Sequence, residues 1–236
     1  MKIFKQKNAA IIYSLLLSYT AFFPSISAAS ALTEKVQALE NQGWSIGVTV
    51  LDTGSNTMES VNGDTRFHFN STIKALACAN VLAKVDKAQL SLEDSIQLSV
   101  NDIVEYSPVT QDYIGQDLTL RKACEAALTY SDNTAANYTI SSVGGPAGLT
   151  EFMRSIGDDV LRSDRYEPEL TENVEYDIRD TTSTNAMATS LKALLLGDVL
   201  RQDSKYQLKE WMIGNRVADT LLRASLPKGL EWPVFH

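Results

Sequence analysis

The chain has 236 residues, is 44% hydrophobic and 21% charged, and carries a formal net charge of −8 with two cysteines and two histidines. Its length and apolar content can bury one substantial core or two interleaved domains, while the acidic balance argues against nucleic acid or an anionic membrane as partner. His68 and His236 stand in no ligand-spaced cluster, so neither a metal nor another cofactor is expected.

The first thirty residues read as separate from that core. Lys2, Lys5 and Lys7 make a basic start, Ile11 to Phe23 an apolar run, and Ser27-Ala28-Ala29 or Ala29-Ser30-Ala31 a small-x-small cleavage site. This is the pattern of an export signal over residues 1–29, which predicts a periplasmic or secreted protein. A membrane-spanning helix is the poorer reading, because the run is short and broken by Ser14, Ser18, Thr20 and Pro24. Cleavage removes three lysines and no acid, taking the charge from −8 to −11. With no second hydrophobic span, no membrane anchor is expected after cleavage, and the mature protein is expected to be a monomer.

Leu32, Val36 and Leu39 recur at helical spacing, and Gly43 is placed to end that helix. Trp44 to Leu51 alternates as a strand, Asp52-Thr53-Gly54-Ser55 turns, and Thr57 to Val61 can return as its partner. Phe67 and Phe69 mark a short extended piece running into Ser71-Thr72-Ile73-Lys74, which opens a helical run to about Leu82. On a helix, a serine three residues before a lysine shares its face, so a hydroxyl meets an amine that can act as its base. The same tetrad recurs at Ser225 to Lys228, but Pro227 disfavours helix at Leu226, and that copy cannot present one face.

Further on, Thr119 can cap a helix through Leu128, Gly144-Gly145 can end one that follows Asn133, and Pro146 suits the first turn of another that stops near Gly157. Met187, Leu191, Leu194 and Leu195 form an apolar face, as do Leu208, Trp211 and Met212, then Val217, Leu221 and Leu222. Arg162 to Asp180 lacks that periodicity, is acidic and contains Pro168; a loop so long in a compact domain is more often functional than idle. Cys78 lies seven residues after Ser71 and Cys124 seven before Ser131. In an exported chain a disulfide is the favoured reading, with two buried thiols as the alternative.

Taken in order, Ser71-Thr72-Ile73-Lys74, Glu105-Tyr106-Ser107-Pro108, Ser131-Asp132-Asn133, Arg165-Tyr166-Glu167-Pro168-Glu169-Leu170 and Arg179-Asp180-Thr181-Thr182 resemble the class A serine β-lactamases. The resemblance implies an α/β fold: an all-helical domain over about residues 72–212 beside an α/β domain from about 30–71 and 213–236, whose antiparallel sheet takes strands from both chain ends. It implies a small-molecule β-lactam substrate of penicillin type. Ser71 would be the nucleophile, Lys74 would take or relay its proton, Ser131 would protonate the leaving nitrogen, and Glu167 would activate the deacylating water. Asn133, Tyr106 and Thr171 would bind substrate or its water, and Arg165 would pair with Asp180 to pin a loop containing a cis Glu167-Pro168 bond. By position alone, Ser131 reads as a turn residue, Asn133 as a first-turn helix cap and Glu167 as a solvated loop acid.

Two departures from the family stand out. Thr171 replaces an asparagine whose amide helps hold water, and a hydroxyl reaches less far. After Leu226-Pro227-Lys228-Gly229 the family's strand with Lys-Thr-Gly or its equivalent does not follow; the chain reads Leu230-Glu231-Trp232-Pro233-Val234-Phe235-His236. The expectation is a sequence truncated or frame-shifted after Gly229, lacking the last strands and helix. The rival readings are a penicillin-binding D-Ala-D-Ala peptidase, an exported trap that acylates without turnover, and an inactive fragment.

Overall fold

The computed structural model describes residues 28–172, 174–220 and 224. The export pattern up to residue 27, the second Ser-x-x-Lys copy, Leu221-Leu222 and the divergent stretch after Gly229 therefore lie outside the described residues.

Helix α1 (Ala28–Glu40) buries Val36, and Gly43, at φ +92°, turns the chain in a region that favours glycine. Strands β1 (Val48–Asp52) and β2 (Thr57–Val61) pair antiparallel, with Val48 opposite Val61 and Asp52 opposite Thr57. Asp52 holds the turn by accepting from the backbone of Gly54 and the hydroxyl of Ser55, both at 2.8 Å. The ladder begins later than the alternation predicts, since residues 44–47 lie outside it. At Gly47 the backbone lies so close to Phe67 that a Cβ would collide with the ring.

Strand β3 (Arg66–His68) leads through a single 3-10 turn, Asn70–Thr72, into α2 (Ile73–Asp86). All residues from Ile73 to Ala83 are buried, so α2 is the central helix and its apolar surface runs all round rather than along one stripe. It continues four residues past the predicted end at Leu82. Around it pack α3 (Leu120–Tyr130), α4 (Asn133–Ser142), α5 (Gly145–Ser155) and α7 (Gln202–Ile213). Ile73, Leu76 and Leu82 meet Leu128, Ile140, Leu149, Met153 and Leu208 in one core. Thr119 caps α3 as predicted, accepting from Lys122 N at 3.2 Å, and Pro146 lies in the first turn of α5.

The remaining elements are β4 (Ser95–Gln97) paired with β5 (Asp117–Thr119), β6 (Thr181–Ser183), and α6 (Thr184–Leu195), which packs on β1. Among the described residues the strands form three two-stranded antiparallel sheets. The helical region beside a small antiparallel α/β part agrees with the expected class; the C-terminal end, where the sequence predicts the last strands and helix to be missing, lies outside the described residues. No described helix is long and apolar enough to cross a membrane.

Cys78 of α2 and Cys124 of α3 form a disulfide, with Cα atoms 5.6 Å apart and a sequence separation of 46. Both are fully buried, so the bridge ties two core helices directly. Closing a loop of that size contributes up to about 4 kcal/mol in the chain-entropy picture. The Cys78→Ala/Cys124→Ala double variant should therefore retain its helical circular dichroism yet unfold at clearly lower urea; an unchanged midpoint would count against the bridge as a stabilising link.

Candidate active site

Ser71 occupies the middle of the 3-10 turn that precedes α2. Buried Phe69 anchors that turn: its N–H donates to Asp180 O at 3.2 Å, and its carbonyl accepts from the Thr72 hydroxyl at 2.6 Å. Antiparallel pairing of β3 with β6, His68 opposite Thr181, thus sets the nucleophile candidate beside the end of the 162–180 loop. No sequence pattern marks β6, because a three-residue strand is too short to display a period.

Lys74, one turn further, is only 1% exposed. Its Nζ lies 3.2 Å from Ser71 Oγ, 2.9 Å from Ser131 Oγ, 2.8 Å from Ser131 O, 2.7 Å from Asn133 Oδ1 and 3.1 Å from Glu167 Oε1. An ammonium has three hydrogens, so these five oxygens cannot all be served at once. Burial pushes the ammonium below its ordinary pKa, and the charges of Glu167 and then Asp132 restore it only in part. Ser131 Oγ also donates to Ser71 Oγ at 2.9 Å, completing a triangle of two hydroxyls and an amine.

Ser131 holds a left-handed conformation, φ 60° and ψ 30°, at the junction of α3 and α4. It is both a turn residue and a member of the cluster. Such a conformation costs of the order of 1–3 kcal/mol and persists where its surroundings impose it. Here the Ser131 N–H donates to Ala126 O, and Lys74 holds its carbonyl.

The α4 cap is Asp132, not Asn133. Fully buried, Asp132 accepts from Ala135 N at 2.9 Å, and reaches across to Val109 N at 2.9 Å, Thr110 N at 2.8 Å and the Thr110 hydroxyl at 2.8 Å. It fastens the 106–110 segment to the helix start. Asn133, the first helical residue, accepts from Lys74, donates through Nδ2 to Glu105 O at 2.9 Å, and donates its N–H to Tyr106 O at 3.0 Å. Tyr106 has φ 59° and is 57% exposed, so the residue is open to a ligand while its carbonyl is fixed.

Glu167 is 2% exposed and precedes a cis bond to Pro168. It is not the solvated acid that its loop position alone suggests. Its contact with Lys74 is electrostatic, and neither carboxylate oxygen has a well-directed hydrogen-bond partner. Its backbone is clamped by Asn137, whose Oδ1 accepts from Glu167 N at 2.8 Å and whose Nδ2 donates to Glu167 O at 2.9 Å. Asn137 was not singled out from sequence, although its i, i+4 spacing from Asn133 places both on one helix face. The ends of the loop are pinned by Arg165 and Asp180: Arg165 Nε is 2.6 Å from Asp180 Oδ2, while Asp180 Oδ1 accepts from the backbone of Asp164 and Arg165 at 2.8 and 3.0 Å. Arg165 also reaches Glu172 at 3.0 Å. Thr171 lies exposed in the 3-10 turn Glu169–Thr171, its hydroxyl donating to Pro168 O at 2.7 Å.

The Beta-lactamase enzyme family model matches residues 30–236. Among curated proteins, Beta-lactamase AER-1 of Aeromonas hydrophila is 43% identical over 98% of this chain and 77% of its own length. Beta-lactamase CARB-3 of Pseudomonas aeruginosa is 41% identical over 91% of this chain and 76% of its own. Among solved structures, the last common ancestor of Gram-negative bacteria (GNCA4) class A β-lactamase superposes with a TM-score of 0.83 at 50% identity, covering 84% of this chain and 76% of that one. The chromosome-encoded β-lactamase of Vibrio parahaemolyticus gives 0.82 at 43%, with the same coverage.

Removing the Asp132 carboxylate would orphan donors on two segments. Asp132→Ala should cost about 2–4 kcal/mol in urea unfolding and loosen the Tyr106 region, seen as faster amide exchange at Val109 and Thr110. Exchange unchanged at those two amides would contradict the fastening role.

Proposed function

This chain belongs to the class A β-lactamase family, enzymes that hydrolyse β-lactams, and we propose that it does so through an acyl-enzyme on Ser71 cleared by a Glu167-activated water. The observation that carries this reading is the buried cluster in which Lys74 Nζ stands within 3.2 Å of Ser71 Oγ, Ser131 Oγ and Glu167 Oε1 together.

In the first half-reaction Ser71 Oγ bonds to the lactam carbonyl carbon and the ring C–N bond breaks. The Ser71 proton passes to Lys74 in its neutral form, and Ser131 delivers a proton to the departing nitrogen and is reprotonated from Lys74. Burial supports that role for Lys74, since it favours the neutral amine. In the second half-reaction Glu167 takes a proton from water as the oxygen attacks the ester carbon. The ester C–O bond breaks, Ser71 recovers a proton, and the ring-opened acid leaves. Asn133 and the exposed Tyr106 are the groups proposed to hold a penicillin-type substrate. The Thr171 hydroxyl, already donating to Pro168 O, can offer a water only its lone pairs. We further propose export to the periplasm or beyond, supported by the basic-apolar start and by a disulfide that an oxidising compartment sustains.

The pH dependence follows from the direction of the Lys74 shift. A lowered pKa means that the base form grows as pH rises through a value below the ordinary 10.5, so acylation should accelerate with pH in that window. Lys74→Arg keeps a positive charge that no accessible pH removes, and should lose about 10²–10⁴-fold in acylation together with this pH response. Stopped-flow acylation by a chromogenic cephalosporin measures both; an arginine variant that acylates at the parental rate would overturn the role given to Lys74.

A further inference from the structure

One face of α4 carries Asn133, Asn137 and Ser141, each four residues after the last. Each meets a different group: Asn133 the amine of Lys74, Asn137 the backbone of Glu167, and the Ser141 hydroxyl the hydroxyl of Tyr166 at 3.5 Å. Neighbouring loop residues, Tyr166 and Glu167, are thus held at two points on one helix face, about 6 Å apart along its axis.

The tyrosine ring ends over the start of α5. Gly145, the first residue of that helix, has φ +72°, and a Cβ built on it would stand 2.9 Å from the Tyr166 hydroxyl oxygen and 3.8 Å from the ring carbon that bears it. Glycine at 145 therefore serves two ends, a left-handed turn between α4 and α5 and a seat for the ring. On its backbone side Tyr166 O accepts from Leu170 N at 2.8 Å, and Leu170 is fully buried. Tyr166 so bridges the core-anchored turn of the loop and the α4–α5 junction.

This bears on Glu167 because neither of its carboxylate oxygens has a well-directed hydrogen-bond partner. The aim of that carboxylate depends on the backbone that carries it. Asn137 holds the backbone by two bonds from one amide, and two points leave rotation about the line through them. The seated ring supplies a third point, one turn further along α4.

We infer that Tyr166 is a positioning residue for deacylation: its ring, seated against Gly145 and Ser141, fixes the aim of the Glu167 carboxylate without touching the reacting atoms. A misplacement of about 1 Å can cost about a hundredfold in rate, so a seat this close to the base governs the water step. Ser71, Lys74 and Ser131 come from other segments, and acylation depends on the seat far less. The inference rests on the acyl-enzyme reading, and one readout below is independent of that reading.

The test uses the full chain with benzylpenicillin, the two half-reactions being timed by quenched-flow mass measurement. Tyr166→Ala should slow deacylation about tenfold or more while acylation falls by about twofold at most. Gly145→Ala, which reaches the contact from the helix, should show the same split. Gly145→Ala/Tyr166→Phe removes the atom nearest the new methyl and should recover most of the lost rate, although the strain at φ +72° remains. Tyr166 is 38% exposed, so its truncation seals no cavity; circular dichroism checks the fold, and Tyr166→Leu is a milder change. Amide exchange at Glu167 needs no reaction: it should quicken in both single alanine variants and slow again in the double variant. Equal slowing of both half-reactions in Tyr166→Ala would make the residue merely structural and overturn the inference. So would a double variant as slow as Gly145→Ala, or unchanged exchange at Glu167 in the single variants. A parent chain that forms no adduct, with exchange in the expected order, would support the seat's hold on Glu167 and refute the acyl-enzyme reading instead.

Discussion

The placement of Lys74 and Glu167 side by side in the protein interior governs the rest of the site. Taking either charge out of water alone costs several kcal/mol, so each requires the other and a set of surrounding dipoles. Lys74 belongs to a helix buried on every side and cannot swing out to solvent. The oxygens it needs therefore come to it from separate segments: Ser71 from the preceding turn, Ser131 and Asn133 from the α3–α4 junction, and Glu167 from the long loop. Removing Glu167 leaves a buried amine that responds by shedding its proton, and removing Lys74 leaves a buried carboxylate.

Delivering Glu167 to that position requires the loop to be fixed from both sides. Arg165 and Asp180 join its ends, and Asn137 grips both backbone groups of Glu167 itself. The pairing of β3 with β6 couples the far end of the loop to the Ser71 turn, so nucleophile and acid share one frame. Left-handed backbone at Asn70, Tyr106, Ser131 and Asp180 gathers around this frame. Local preference yields at these residues because the surrounding hydrogen bonds dictate the conformation, as is common where side chains must converge for chemistry.

Much of this was legible in the sequence for a definite reason: the informative signals were local. The Ser71-Lys74 spacing, the Thr119 cap, the Gly43 stop and the Asp52 turn each depend on residues within a few positions of one another. Cys78 and Cys124 could be paired because they are the only two cysteines. The failures are long-range. Asn133 reads as the cap of α4, but Asp132 takes that place and also holds Val109 and Thr110, 23 and 22 residues back, while Asn137 gains its role only when the loop folds back onto α4. Strands of three residues, such as β4, β5 and β6, exist through their partners and leave no pattern of their own. The hydrogen bond that the Thr171 hydroxyl donates to the Pro168 carbonyl likewise depends on how the loop folds.

The division of labour between Ser71 and Glu167 is open to direct measurement. Glu167→Gln removes the base while keeping the side chain's size, and the protein can be mixed with benzylpenicillin, quenched, weighed intact and digested. The expected result is a mass increase of one whole penicillin, located on the peptide carrying Ser71 and persisting long after the parental enzyme has cleared its own adduct. An adduct on another residue, or one released by the variant as fast as by the parent, would contradict the roles assigned to the buried pair.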